Sequence, residues 1–319
     1  MAKGSIRLGA GHYHLFHLFA AIIAEHKGWF REEGLESVES FFTGDDDKTI
    51  EGLQTGEVDF ALDPKTANVL RARARGDDIA IIGGWLNRFF YGMVASKEIR
   101  KVKDLKGKKF GVRVVNTGIE WLPAREIIRL QGLDPDRDVE YVVAGMATAG
   151  NSREPLLRGE YQARMVQWTD AKQLESEGFN LLYDYTQEKR WAYQVRVIAT
   201  TERMLREHPD WTTSFLKAMI RAFRLMKTDH QQTIDIVRKS GRKWQAGDHP
   251  SSFEKPYALY SVIPMDGCAS EEGVAHVADA EKSQGKLPAD FEVDSLLRLE
   301  YVKQAAEEIN SRFGPQGFE

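Results

Sequence analysis

The chain has 319 residues, 42% of them hydrophobic and 29% charged, so it is long enough for two domains and ordinary in composition for a globular protein. A formal net charge of −4 supplies no basic field that would recruit nucleic acid or an anionic membrane surface. The single cysteine, Cys268, excludes an internal disulfide and any multi-cysteine metal or iron–sulfur centre, and no apolar run approaches the roughly 18 residues needed to span a bilayer.

The first element is a short strand over Ser5 to Leu8, which gives way to Gly9-Ala10-Gly11. A helical pattern follows, with Leu15, Leu18, Phe19, Ile22 and Ile23 at the spacing of one buried face. Gly28 stands where a helix C-terminus favours positive φ. A second strand is predicted near Ser37 to Phe42, then a loop over 43–47, a helix from Lys48 to Thr55 closed by Gly56, and a buried strand over 57–62. Asp63-Pro64-Lys65-Thr66 carries the proline and capping residues that open the next helix, which runs to Arg75. Further strands are predicted over Ile79 to Gly84 and Tyr91 to Ala95. Strands alternating with helices of about ten residues indicate parallel βαβ units.

Composition shifts over Ser96 to Lys109, a lysine-rich stretch read as a solvated connection between lobes. The βα pattern then restarts with strands at Phe110 to Val115, Val139 to Val143 and Ala163 to Gln167. Helices are predicted near Ile119 to Gln131 and Arg153 to Arg158, and Gln194 to Thr200 returns as a strand to the first lobe. From Glu202 the chain is chiefly helical. The domains expected are 1–95 plus 191–319, a discontinuous first lobe with a helical C-terminal extension, and 96–190, the second lobe.

The stretches HKGWFREEGLESVES, GLQTGEVDFAL, VKDLKGKKFGV and LQGLDPDRDVEYV, in that order, resemble the substrate-binding proteins of nitrate, sulfonate and taurine ABC importers, including the NMT1/THI5-like thiamine-pyrimidine branch. The resemblance implies an α/β fold of two Rossmann-like lobes, the type II periplasmic binding-protein architecture. It implies a solute-binding component of an ABC importer, holding a small anionic or aromatic organic solute in an inter-lobe cleft and handing it to a permease. Enzymes also occur on this fold, so a lyase, such as an aromatic decarboxylase or a sulfinate desulfinase, is the alternative. The desulfinases place a nucleophilic cysteine in the loop after the first strand, where this chain has Tyr13 and histidines. Met1 to Ser5 leads straight into the first strand, so the expected location is periplasmic if a leader has been removed and cytoplasmic otherwise.

In open α/β sheets, ligands bind beyond the carboxyl ends of the strands and against helix N-termini. Candidate ligand-binding residues are therefore His12 and His14 after the first strand, Asp63, Lys65 and Thr66 after the third, and Asn116, Thr117 and Gly118 with Trp121 in the second lobe. Trp168 and Thr169 at the end of another second-lobe strand join them, as does Arg88, a guanidinium suited to bidentate pairing with an anion. His14 is the catalytic candidate if the protein is an enzyme, and His17 is assigned to packing. Trp85, Tyr91, Trp191 and Tyr193 suggest aromatic walls. Imidazole pairs can hold divalent ions, but no metal and no cofactor are assigned.

Overall fold

A computed structural model describes residues 4–11, 15–113, 115, 120–145, 147–187, 192–242 and 262–319. The chain forms two compact units, one of residues 1–88 with 192–319 and one of residues 89–191. The first unit is built on a five-stranded sheet in the order β2-β1-β3-β10-β4. Its strands are β1 (Gly4–Ala10), β2 (Leu35–Phe42), β3 (Phe60–Ala61), β4 (Ala80–Arg88) and β10 (Ala192–Thr200). β1 pairs in parallel with β2 and β3, whereas β10 is antiparallel to both β3 and β4. The carboxyl ends of β1 to β4 therefore share one edge with the amino end of β10.

The helices follow the apolar spacing. After one 3-10 turn (Leu15–Leu18) comes α1 (Phe19–His26), then Gly28 at φ 76° and α2 (Trp29–Glu32). α3 (Asp46–Thr55) is capped by the Asp45 side chain, which accepts from the Lys48 N–H, and ends at Gly56 with φ 78°. α4 (Thr66–Ala74) follows β3. The strand expected over 57–62 pairs only at β3, although the Asp59 N–H still donates to Arg7 O and the Leu62 N–H to Gly9 O. The long helix Pro209–Thr228 buries Phe215, Leu216, Met219, Phe223 and Met226, the repeat of one helical face. Phe215 stacks on Phe60 at 4.4 Å, and Phe223 meets Trp85 edge-on at 5.2 Å.

The second unit has a five-stranded sheet in the order β7-β6-β8-β5-β9. β6 (Lys108–Val112) is parallel to β7 (Val139–Val143) and β8 (Ala163–Gln167), while β5 (Tyr91–Ala95) is antiparallel to β8 and to β9 (Asn180–Asp184). β5, which the composition shift placed in the first lobe, belongs to this second sheet. Its pairing with β8 and β9 outweighs the lysine-rich boundary that follows it, and within that boundary Val102 and Leu105 are buried. β9 has no counterpart in the sequence reading, because Leu181-Leu182-Tyr183 gives an apolar run too short to separate from a loop. α5 (Trp121–Leu130), α6 (Ala149–Leu157) and α7 (Trp168–Ser176) complete the unit. Its core gathers Val94, Leu156, Tyr161, Val166, Ala171, Leu174 and Phe179.

Candidate functional site

In the first unit, the shared strand edge carries a cluster of buried charge. Gly11, just past β1, allows the chain to meet the start of α3: a Cβ there would lie 2.8 Å from the Asp46 backbone nitrogen. Asp46 is buried on α3, and its Oδ2 lies 3.1 Å from Lys65 Nζ. Asp63, fully buried after β3, pairs through Oδ2 with His17 Nδ1. Arg196, midway along β10, brings its Nη1 within 3.4 Å of Asp46 Oδ1 and 3.5 Å of Asp63 Oδ2, and donates to the Asp63 carbonyl at 2.5 Å. Backbone pairing sets that geometry, since Lys65 bridges Arg196 across the sheet and the Val197 N–H donates to Pro64 O.

Two carboxylates thus face an arginine, a lysine and a histidine, the arginine from the middle of a strand. These contacts of Arg196 run through Nη1, and among the described residues no acceptor meets its Nε or Nη2. Thr66 Oγ1, buried on the first residue of α4, has no hydrogen-bond partner among the described residues. The first N–H groups of a helix have no acceptor within it, and the macrodipole favours negative charge there. The Thr66 hydroxyl, the first turn of α4 and the outer guanidinium nitrogens of Arg196 therefore offer donors to an oxyanion.

The second unit has a different arrangement at the carboxyl ends of β6, β7 and β8. Glu120 stands at the N-cap of α5 but makes no capping bond. Its side chain is buried, the backbone N–H of Arg113 donates to it, and Oε2 has no partner among the described residues. Burial pushes its pKa up, against the opposing pull of the Arg164 and Arg113 charges and the Arg113 N–H. Arg164, fully buried on β8, donates from Nη1 to Tyr161 Oη at 3.2 Å and from Nη2 to Gly145 O at 3.0 Å, while its Nε has no partner among the described residues.

Of the residues expected at a site, His12, His14, Asn116, Thr117, Gly118 and Trp191 lie outside the described residues. Asp63, Lys65 and Thr66 come together as one cluster. Arg88 ends β4 at the same sheet edge, and its charge, together with burial, lowers the pKa of Lys227. Trp85 is not a ligand wall, because it is fully buried between Phe16 and Phe223. Trp121 is buried against Tyr141 at 4.3 Å with Arg125 over its face at 5.0 Å. Trp168 and Thr169 open α7, and Trp168 Nε1 donates to Asp184 Oδ2 at 2.8 Å. His17, assigned to packing, is instead the partner of Asp63. The sequence reading missed Asp46 and Arg196. An arginine inside the apolar run Val195 to Ala199 was the available signal for Arg196, whereas the run Asp45-Asp46-Asp47 hid which aspartate turns inward.

Two α/β units with these sheets define the class, the periplasmic binding-protein fold, which solved structures share. The putative sulfonate ABC transporter periplasmic sulfonate-binding protein SsuA of Methylobacillus flagellatus KT superposes with a TM-score of 0.72 at 15% identity, over 97% of this chain and 96% of that one. The periplasmic aliphatic sulphonate-binding protein SsuA of Escherichia coli gives 0.68 at 14% identity, over 92% of each chain. A DszB mutant in complex with biphenyl-2-sulfinic acid gives 0.61 at 14% identity, over 96% of this chain and 100% of that one. No curated protein sequence matches the chain. The family described as NMT1/THI5 like matches residues 16–233, and the chain belongs to that family. No helix among the described residues is long and apolar enough to cross a membrane.

Proposed function

We propose that this protein is the solute-binding component of an ABC importer, located in the periplasm, and that it captures a small organic anion for a membrane permease. The family and the sulfonate-binding proteins of the same fold support the class. The observation that carries the anion is the set of open donors on the first unit: Thr66 Oγ1, the first turn of α4, and the outer nitrogens of Arg196. Lys65 adds a half-exposed positive charge beside them. A sulfonate, sulfinate or carboxylate has the charge and the several acceptor oxygens to engage all three.

The test is calorimetric titration with benzenesulfonate, benzenesulfinate and benzoate, with benzamide as the neutral control. At least one acid binds and the amide does not. Thr66→Val removes a charge-assisted bond worth about 1.5–3 kcal/mol and weakens the acid roughly ten- to a hundredfold. An amide that binds as well as the acids overturns the reading. A lyase on the same fold is the second reading, favoured by the contact of His17 Nδ1 with the buried Asp63 carboxylate, which sets an imidazole beside a carboxylate as general-base catalysis requires. Release of sulfite or carbon dioxide from the same sulfinate or carboxylate would establish it.

A further inference from the structure

Asp45, Asp46 and Asp47 stand at the start of α3 in the first unit, and each carboxylate has a different task. Asp45 caps its own helix through the Lys48 N–H. Asp46 turns inward to Lys65 and Arg196. Asp47 lies exposed and reaches the neighbouring helix, where its Oδ1 accepts from Asn68 Nδ2 at 2.9 Å. Lys65 is the N-cap residue of α4 and Asn68 the third residue of that helix. Two adjacent aspartates at the start of one helix thus grip two residues at the start of the other.

The Asn68 amide has one orientation open to it. Its Oδ1 accepts from Arg71 Nη2 at 2.9 Å, one turn further along α4. A guanidinium only donates and a carboxylate only accepts, so the amide oxygen faces Arg71 and the amide nitrogen faces Asp47. Arg71 is fixed in turn from its other side, since its Nη1 donates to Glu281, which is only 8% exposed on the helix Glu271–Ser283. That helix is anchored to β10, with His276 Nδ1 2.7 Å from Ala192 O and the Ser270 N–H donating to Gln194 Oε1 at 2.7 Å. A chain of bonds therefore runs from Glu281 through Arg71 and Asn68 to Asp47.

A polar side chain at the third position of a helix often folds back to bond the N–H groups of its own N-terminus. Asn68 is turned aside instead, towards α3 and Arg71. The N–H groups of Thr66 and Ala67, which have no acceptor within their helix, are left for a ligand. The donors gathered for an anion come from separate elements, Thr66 from α4 and Arg196 from β10, while Lys65 is tied to Asp46 on α3. Binding groups of this kind must be placed to within about 0.5 Å, so a start of α4 that slides against α3 loses the match.

We propose that Asn68 is a positioning residue: held by Arg71 and Asp47, it locks the start of α4 to the start of α3 and so sets the donors that the anion meets. This rests on the anion-binding reading above and names the residues behind the site that tune its affinity. Charge alone would act in the opposite direction. Asp47 and Glu281 are both negative, and removing either one would favour an anion nearby.

Calorimetry on the full chain reads the Kd of whichever acid binds most tightly among benzenesulfonate, benzenesulfinate and benzoate. Asn68→Ala and Asp47→Ala each weaken it by about three- to tenfold, the effect of one hydrogen bond. The double variant is no weaker than either single one, because both remove the same bond. Asp47→Asn keeps an acceptor oxygen without the charge, and its Kd returns to within about twofold of the wild type. Glu281→Met releases Arg71 and weakens binding by about threefold. Melting temperatures of the Asn68 and Asp47 variants stay within about 2 °C of the wild type, since the bond between them is exposed.

If Asp47→Ala tightens binding or leaves it unchanged, or if the two losses multiply in the double variant, the proposal is overturned while the anion-binding reading stands. Weaker binding that comes only with a matching fall in melting temperature also overturns it, because the pair would then hold the fold and not the site. If none of the three acids binds the wild type, both fall together.

Discussion

The two units handle buried charge at the carboxyl ends of their parallel strands in different ways. In the first, Asp46 and Asp63 are met by Lys65, His17 and Arg196, and one guanidinium nitrogen serves both carboxylates and a backbone carbonyl. In the second, Glu120 and Arg164 are buried at one edge without an ion pair between them, and each leaves a polar atom without a partner among the described residues. A closed network fixes side-chain positions and resists change, because removing any member leaves the rest uncompensated. Buried groups without such charge pairing, as in the second unit, are easier to alter. The comparison predicts that removing a buried charge costs more stability in the first unit than in the second.

The largest effect that could break this contrast is Arg196→Met. It strips Asp63 and Asp46 of their shared counter-ion and should cost about 3–5 kcal/mol, measured as the loss in urea unfolding. A cost under about 1 kcal/mol would mean that the first edge is no network at all. Arg164→Met in the second unit removes a buried charge together with its two neutral acceptors' donors, so the loss should be smaller, about 1–2 kcal/mol in the same experiment. Equal costs for the two arginines would erase the distinction.

Glu120→Gln sharpens the contrast through pH. The folded carboxyl holds its proton above the ordinary value of 4.5 while the unfolded chain gives it up. The folded state therefore binds more protons across that window, and this group makes the wild type lose stability as pH rises from about 4.5 through the raised pKa. The glutamine variant loses that component, so its stability relative to wild type should climb over the same interval. Melting curves that run parallel with pH would contradict it. Smallest is Asp136→Asn, on the exposed pair with Arg125, whose oxygens lie 2.7 Å from the guanidinium. Its melting temperature should match that of the wild type, because solvent-exposed pairs contribute little.

Much of the fold could be read from the sequence, because its signals are local. Gly28 and Gly56 adopt the left-handed conformation their positions implied, and Asp45 caps its helix. The strands at residues 163–167 and 194–200 follow short apolar runs, each interrupted by one arginine. The site was legible only in part. Asp63, Lys65 and Thr66 stand on a strand-to-helix turn that announces itself, but their partners Asp46 and Arg196 are brought to them by sheet pairing across more than a hundred residues, which no window of sequence contains. The tryptophans misled for the opposite reason. Trp85 and Trp121 have the size and apolarity of a ligand wall, and the core uses the same properties. Nothing in the surroundings of Glu120 along the chain tells that it turns inward.

The place of β10 in the first sheet has a consequence for how the molecule is made. This strand lies between β3 and β4, yet it leaves the ribosome only after all of residues 89–191 have been synthesised. At a translation rate of about 5–20 residues per second, β3 and β4 wait several seconds with the gap between them unfilled. The second unit, continuous in sequence, can fold in that interval, so the part of the chain synthesised later is completed first. Arg196 arrives on the same late strand, and until then Asp63 and Asp46 have no arginine to be buried against. The final ion pairs of the first edge therefore form together with the closing of the sheet, and a nascent chain halted before residue 192 carries an open strand edge that a chaperone can recognise.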